Sequence, residues 1–172
     1  MPASRNQGRL LLIAVSALLL SAAQLPAQPH HRVFAKESRF YIQDLNTSQV
    51  REFDMWSTRL ANAAFDPRFT DRVIANLDDY LRHGVNTLSV GIQGGNLGST
   101  AYNALHPRVY NANGTLDLKS PVWANLGRLL DETDRRGMVL IIGYWYFKRD
   151  ENVPTESAAL DITRRVTQWL KQ

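Results

Sequence analysis

His83-Gly84-Val85-Asn86-Thr87-Leu88-Ser89-Val90-Gly91-Ile92-Gln93 and Gly137-Met138-Val139-Leu140-Ile141-Ile142-Gly143-Tyr144-Trp145-Tyr146 decide the fold. Each is an apolar run that starts directly after a glycine, and each glycine closes a stretch with helical periodicity. Before Gly84, Phe69, Val73, Leu77, Tyr80 and Leu81 recur at spacings of three and four, with Asp66, Pro67 and Thr70 as start signals. Before Gly137, Val122, Trp123, Leu126, Leu129 and Leu130 do the same behind Ser120-Pro121. Helix, strand, helix and strand in strict order require parallel strands joined by crossovers, so the fold class is α/β.

Within the first run Leu88, Val90 and Ile92 share one face, and Thr87, Ser89, Gly91 and Gln93 share the other. An open sheet covered by helices on both sides is apolar on both faces. One apolar face and one small, polar face instead predict a strand of a barrel wall, with Gln93 aimed inward at its carboxyl end. The second run is apolar nearly throughout and is expected to be buried on both faces. Aligning Gly84 with Gly137 puts Leu140, Ile142, Tyr144 and Tyr146 on the inner face and Trp145 against helices.

Outward from this centre, Arg39 to Leu45 and Val50 to Met55 read as a β-hairpin around Asn46-Thr47-Ser48-Gln49, whose second arm is the candidate first strand of the α/β unit. Residues 24–38, with Pro26, Pro29 and His30-His31, read as an irregular leader. Two histidines without a third ligand make no metal site. Thr155 to Gln172 reads as a last helix with Ala159, Ile162, Val166, Trp169 and Leu170 inward. The segment from Gly94 to Leu118 is too long for an ordinary connection and is a functional loop candidate. Its glycines do not fit the dinucleotide fingerprint, and no lysine follows them to form a phosphate loop.

Composition narrows the chemistry. The chain has 172 residues, 44% hydrophobic and 21% charged, as expected for one globular domain. Arg5, Arg9, the apolar run Leu10 to Leu20 and Ser21-Ala22-Ala23 have the form of a signal peptide over residues 1–23, with cleavage before Gln24 and a secreted or periplasmic product. The run is too short for the ~20 residues of a membrane-spanning helix, so no membrane association is expected after cleavage. The absence of cysteine excludes disulfides, thiol nucleophiles and thiolate metal ligands. Removing Arg5 and Arg9 from the 20 Lys and Arg leaves 18 against 16 Asp and Glu, which is no nucleic-acid footprint. No cofactor is expected.

The stretch from Trp56 to Asp71, together with His83-Gly84-Val85-Asn86 and Gly137-Met138-Val139, resembles the N-terminal part of bacterial cellulase-like glycoside hydrolases. The resemblance implies a partial (β/α)8 TIM-type barrel over residues 39–172, with about three βα units preceded by a β-hairpin. It also implies carbohydrate as substrate. In that family the acid/base glutamate follows strand four and the nucleophile follows strand seven. A full barrel takes about 250 residues, and the chain is expected to stop before strand four. No catalytic residue is therefore assigned, and the chain is expected to be inactive as an enzyme. Asp150 and Glu151, with Asp54, are carboxylates expected near strand ends, and they are not assigned as a catalytic pair. The expected substrate contacts are Trp56, Tyr144 and Tyr146 for stacking on sugar rings, and Asp54, Arg59, Gln93 and Asn96 for hydroxyls. A secreted, non-catalytic carbohydrate-binding or interaction protein of small α/β fold is the alternative. An open edge would then call for a complementing C-terminal half or for self-association.

Overall fold

The computed structural model of the chain describes residues 29–92, 109, 111, 115–145 and 153–171. Two three-stranded sheets are built in succession. The first is antiparallel, in the order β1 (His31–Lys36), β2 (Arg39–Asp44), β3 (Val50–Glu52). The second is parallel, in the order β4 (Ser57–Arg59), β5 (Thr87–Gly91), β6 (Val139–Gly143). Helices α1 (Pro67–Ala75) and α2 (Leu77–Arg82) link β4 to β5, α3 (Val122–Arg135) precedes β6, and α4 (Glu156–Trp169) follows it. The fold is α/β, as the alternation of patterns requires. No described helix is long and apolar enough to cross a membrane.

The hairpin of β2 and β3 forms as expected, with Tyr41 opposite Glu52 and Gln43 opposite Val50. Its loop is fastened by Asp44, whose Oδ1 accepts from the backbone N–H of Asn46 at 2.8 Å and Thr47 at 3.0 Å. Those two donors, Thr47 foremost, hold the carboxyl below the usual aspartate range. Two expectations are corrected here. Residues 31–36, read as part of an irregular leader, are strand β1, paired in full register with β2. The first parallel strand is Ser57–Arg59, and the arm ending at Asp54-Met55 belongs to the antiparallel sheet only as far as Glu52.

Asp66 caps α1 by accepting from Arg68 N, with Pro67 in the first turn. The pattern from Phe69 to Leu81 reads as one helix, but the helix breaks at Asn76. The Asn76 side-chain amide donates to the Arg72 carbonyl at 2.7 Å, the group its own backbone N–H would use in a continuing α-helix. Gly84 and Gly137 both take positive φ, +82° and +65°, and end α2 and α3 in the left-handed conformation that glycine adopts without steric cost.

Leu88, Val90 and Ile92 are fully buried against the helices, together with Val73, Leu77, Leu126, Leu129, Ile162 and Val166. Ladder register fixes what lies beside them. Leu88 pairs with Leu140 and Val90 with Ile142, so these four share the helix-covered face. Ser57, Ser89, Gly91, Val139, Ile141 and Gly143 line the opposite face. The glycine alignment had paired Leu88 with Ile141. The observed register differs by one residue, and a one-residue slip exchanges the two faces of a strand. Leu140, Ile142 and Tyr144 are therefore turned to the helices and not to the opposite face. The expectation that this strand is buried on both faces is also corrected, because β6 is an outer strand of the described sheet and Ile141 is 43% exposed.

The antiparallel sheet docks on the end of α3. Asp134 accepts from the backbone N–H of His30 at 2.6 Å and of His31 at 3.0 Å, and His31 Nδ1 lies 2.9 Å from the Asp134 carbonyl oxygen. The imidazole sits where a side chain at position 137 would project, 3.6 Å from an ideal Cβ built on Gly137. Ile42 and Phe53 are buried on this inward face of the sheet.

Arg136 bridges α3 and α2, with Nε donating to Asp78 at 2.8 Å and NH1 donating to Glu132 at 2.5 Å. Its hydrogen bonds hold both carboxyls below their usual range. Carboxyls with lowered pKa stabilise the fold above their unfolded values, near 4, and that contribution disappears as pH falls through the folded values. Arg136→Gln is therefore expected to lower the melting temperature at pH 7, with the difference shrinking as pH falls below about 4, as read by melts across the acid range. Ile141→Lys, which places a charge on the exposed face of the outer strand, is expected to leave the melting temperature nearly unchanged.

Candidate functional site

In parallel sheets joined by crossover helices, ligands bind beyond the carboxyl ends of the strands, where the loops converge. Here that end is built from Arg59 and the turn that follows it, from Gly91 and Ile92, and from Gly143, Tyr144 and Trp145. The turn after β4 folds over the end of β5. Leu60 N donates to the Ser89 carbonyl and Gly91 N to the Ala61 carbonyl, both at 2.9 Å. An ideal Cβ at Gly91 would stand 3.2 Å from the Ala61 oxygen, so the absence of a side chain permits this approach.

Buried polar side chains then fix the turn. Ala63, Ala64 and Phe65 are buried, and carbonyls in this turn cannot rely on water. Thr70 Oγ1 donates to the Ala63 carbonyl at 2.6 Å, and Asn125 Nδ2 donates to the Ala64 carbonyl at 3.0 Å. The Asn125 bond ties α3 to a turn 61 positions earlier in the chain. Asn125 stands among apolar residues of a helix face, where the sequence pattern assigned only the hydrophobic members, while Thr70, read as a start signal, lies inside α1 and serves the turn instead.

The other wall is closed by α4. Tyr144 Oη lies 3.0 Å from Thr167 Oγ1, and the Trp145 indole N–H donates to Thr163 Oγ1 at 3.1 Å. The two threonines are one helical turn apart and so lie on the same side of α4. Trp169 of that helix meets Trp123 at the start of α3, with ring centroids 5.1 Å apart. Periodicity located α4, but Thr163 and Thr167 carry no apolar signal and were not singled out in the sequence.

The expected site residues do not all converge. Arg59, exposed, and Tyr144, half-buried, stand at the carboxyl end, with Tyr144 committed to α4. Asp54 and Trp56 stand at the opposite, amino end of β4, which corrects their assignment to a strand's carboxyl end. The reason is the late start of the first parallel strand, at Ser57. Trp56 is 69% exposed there. Asn86 is the joint of this end: its Oδ1 accepts from Trp56 N at 2.9 Å and its Nδ2 donates to the Asp54 carbonyl at 2.7 Å. The Gly-Val-Asn triplet before β5 thus has a structural use, holding the entry to β4. Gln93, Asn96, Tyr146, Asp150 and Glu151 lie outside the described residues.

Chemically, the carboxyl end offers a guanidinium, a phenol and an indole. Among the described residues it holds no pair of carboxylates, and none of their His, Asp and Glu side chains group in threes that could hold a metal ion. Such a surface can hydrogen-bond and stack.

Asn125→Ala leaves the Ala64 carbonyl buried without its donor, and a loss of about 1–3 kcal/mol in unfolding free energy is expected from denaturant titration. No protein family, curated protein or solved structure matches this chain.

Proposed function

We infer that residues 57–171 form the wall of a carbohydrate-binding cleft of the (β/α)8-barrel kind, in an exported protein whose first 23 residues act as a signal peptide. The observation that carries this reading is the division of the parallel sheet into two unlike faces. One is packed by helices through Leu88, Val90, Leu140 and Ile142. The other carries Ser57, Thr87, Ser89, Gly91, Val139, Ile141 and Gly143, mostly small, as suits the crowded interior of a barrel. Arg59 supplies a donor fork for sugar hydroxyls at the carboxyl end.

On this reading the protein is related to glycoside hydrolases acting on O-glycosidic bonds, and these three units supply substrate contact rather than catalysis. A retaining glycosidase needs two carboxyl groups about 5 to 5.5 Å apart, and the catalytic glutamates of the family would belong to units four and seven. The non-catalytic form of the same reading is a secreted carbohydrate-binding protein.

Binding to a panel of soluble polysaccharides and turnover of aryl glycosides test this. Weak, saturable polysaccharide binding without turnover is expected. Arg59→Ala should weaken binding roughly threefold to tenfold, the scale of one or two lost hydrogen bonds. Trp56→Ala, at the opposite end of β4, should leave it unchanged. Turnover abolished by Glu151→Ala would overturn the non-catalytic reading, and loss of binding in Trp56→Ala alone would move the site to the other end of the sheet.

A further inference from the structure

The antiparallel sheet has an outward face that the cleft does not use. Its inward face is marked by buried Ile42 and Phe53 and by His31, beside Gly137. Side chains alternate along each strand, so Arg32, Phe34 and Lys36 of β1 project outward, with Arg39, Tyr41 and Gln43 of β2 and Glu52 of β3. Phe34 and Tyr41 face each other across the strands and stack, with centroids 5.6 Å apart and planes 18° from parallel.

Cations surround this aromatic pair. Lys36 stands directly opposite Arg39, a cross-strand pairing of like charges that costs stability. Glu52 pairs with Arg39, and its hydrogen bond and charge hold that guanidinium more firmly protonated. Lys36 and Arg32 are exposed and make no ion pair among the described residues. Four residues apart on one strand, they are separated by about 13 Å at the ordinary strand rise, with the aromatic pair between them.

We propose that the outward face of β1 and β2 binds an acidic polysaccharide, with Arg32 and Lys36 taking uronate carboxylates and Phe34 with Tyr41 meeting the apolar faces of the sugar rings. Charge complementarity selects the occupant. An anionic chain relieves the Lys36 and Arg39 repulsion, and its carboxylates match an arginine fork. The Glu52 carboxylate on the same face and the near-balanced charge of the exported chain disfavour nucleic acid, whose phosphates demand a denser basic surface. This face shares no residue with the carboxyl end of the parallel sheet, so it stands independently of the cleft.

Affinity electrophoresis and calorimetry of the exported protein with polygalacturonate, dextran and single-stranded oligothymidine test the proposal. Saturable binding to polygalacturonate that weakens with added salt is expected, with none to dextran on this face. Arg32→Gln combined with Lys36→Gln should weaken it about tenfold or more, the scale of two charge-assisted contacts. The charge-retaining pair Arg32→Lys and Lys36→Arg should preserve most of the affinity, with far-ultraviolet dichroism checking that each variant is folded. Absence of polygalacturonate binding by the unmodified protein, equal binding by the glutamine variant when folded, or tighter binding of oligothymidine would each overturn the proposal, the last assigning the face to nucleic acid.

Discussion

The register between β5 and β6 is the constraint on which the rest of the molecule depends. With Thr87 opposite Val139 and Leu88 opposite Leu140, buried Leu88 and Val90 and partly buried Leu140 and Ile142 fall on one side, and α3 has a continuous apolar surface to cover. Displacing β6 by one residue would turn Ile141 toward the helices and Leu140 and Ile142 away from them. The core that Leu126 and Leu129 complete would then lose its matching wall. Helix-to-helix ion pairs such as Asp71 with Arg128 reinforce the arrangement. As exposed pairs they contribute little by themselves.

Much of this was legible in the sequence, for reasons that can be named. The helices announced themselves through apolar spacing, start signals such as Asp66, and terminal glycines, all consequences of local geometry. The burial of Leu88, Val90 and Ile92 followed from strict alternation. What local pattern could not supply was relative placement. Gly84 and Gly137 look equivalent, yet β5 begins at the third residue after its glycine and β6 at the second. Inter-strand hydrogen bonds set that difference, and no periodicity within either strand records it. Strand β1 escaped notice because its identity rests on pairing with β2, and Val33 and Ala35 alternate with polar and aromatic residues that carry no clean apolar face.

The site was less legible than the fold, and for the same reason. Tyr144 stands near the end of its strand, as its position in the apolar run implied, but toward the helices, and Arg59 ends a strand that the sequence did not reveal. Asp54 and Trp56 were misplaced because the start of a three-residue strand cannot be read from composition. The polar groups that shape the turn after β4, Thr70 and Asn125, are single residues on otherwise apolar helix faces. Their value comes from carbonyls brought to them by tertiary folding, which a helix pattern does not encode.

The docking of the antiparallel sheet on Asp134 carries a temporal consequence. His30 and its acceptor are separated by 104 positions in the chain. At synthesis rates of about 5–20 residues per second, roughly 5 to 20 s pass between the appearance of one partner and the other. Throughout that interval β1 to β3 have neither the end of α3 nor the backbone at Gly137 to rest against, and an isolated small sheet is marginal in water. Ile42 and Phe53 therefore begin life exposed. The antiparallel sheet is made well before its docking partner, so Ile42 and Phe53 stay open to any factor that binds nascent apolar segments until α3 has been synthesised.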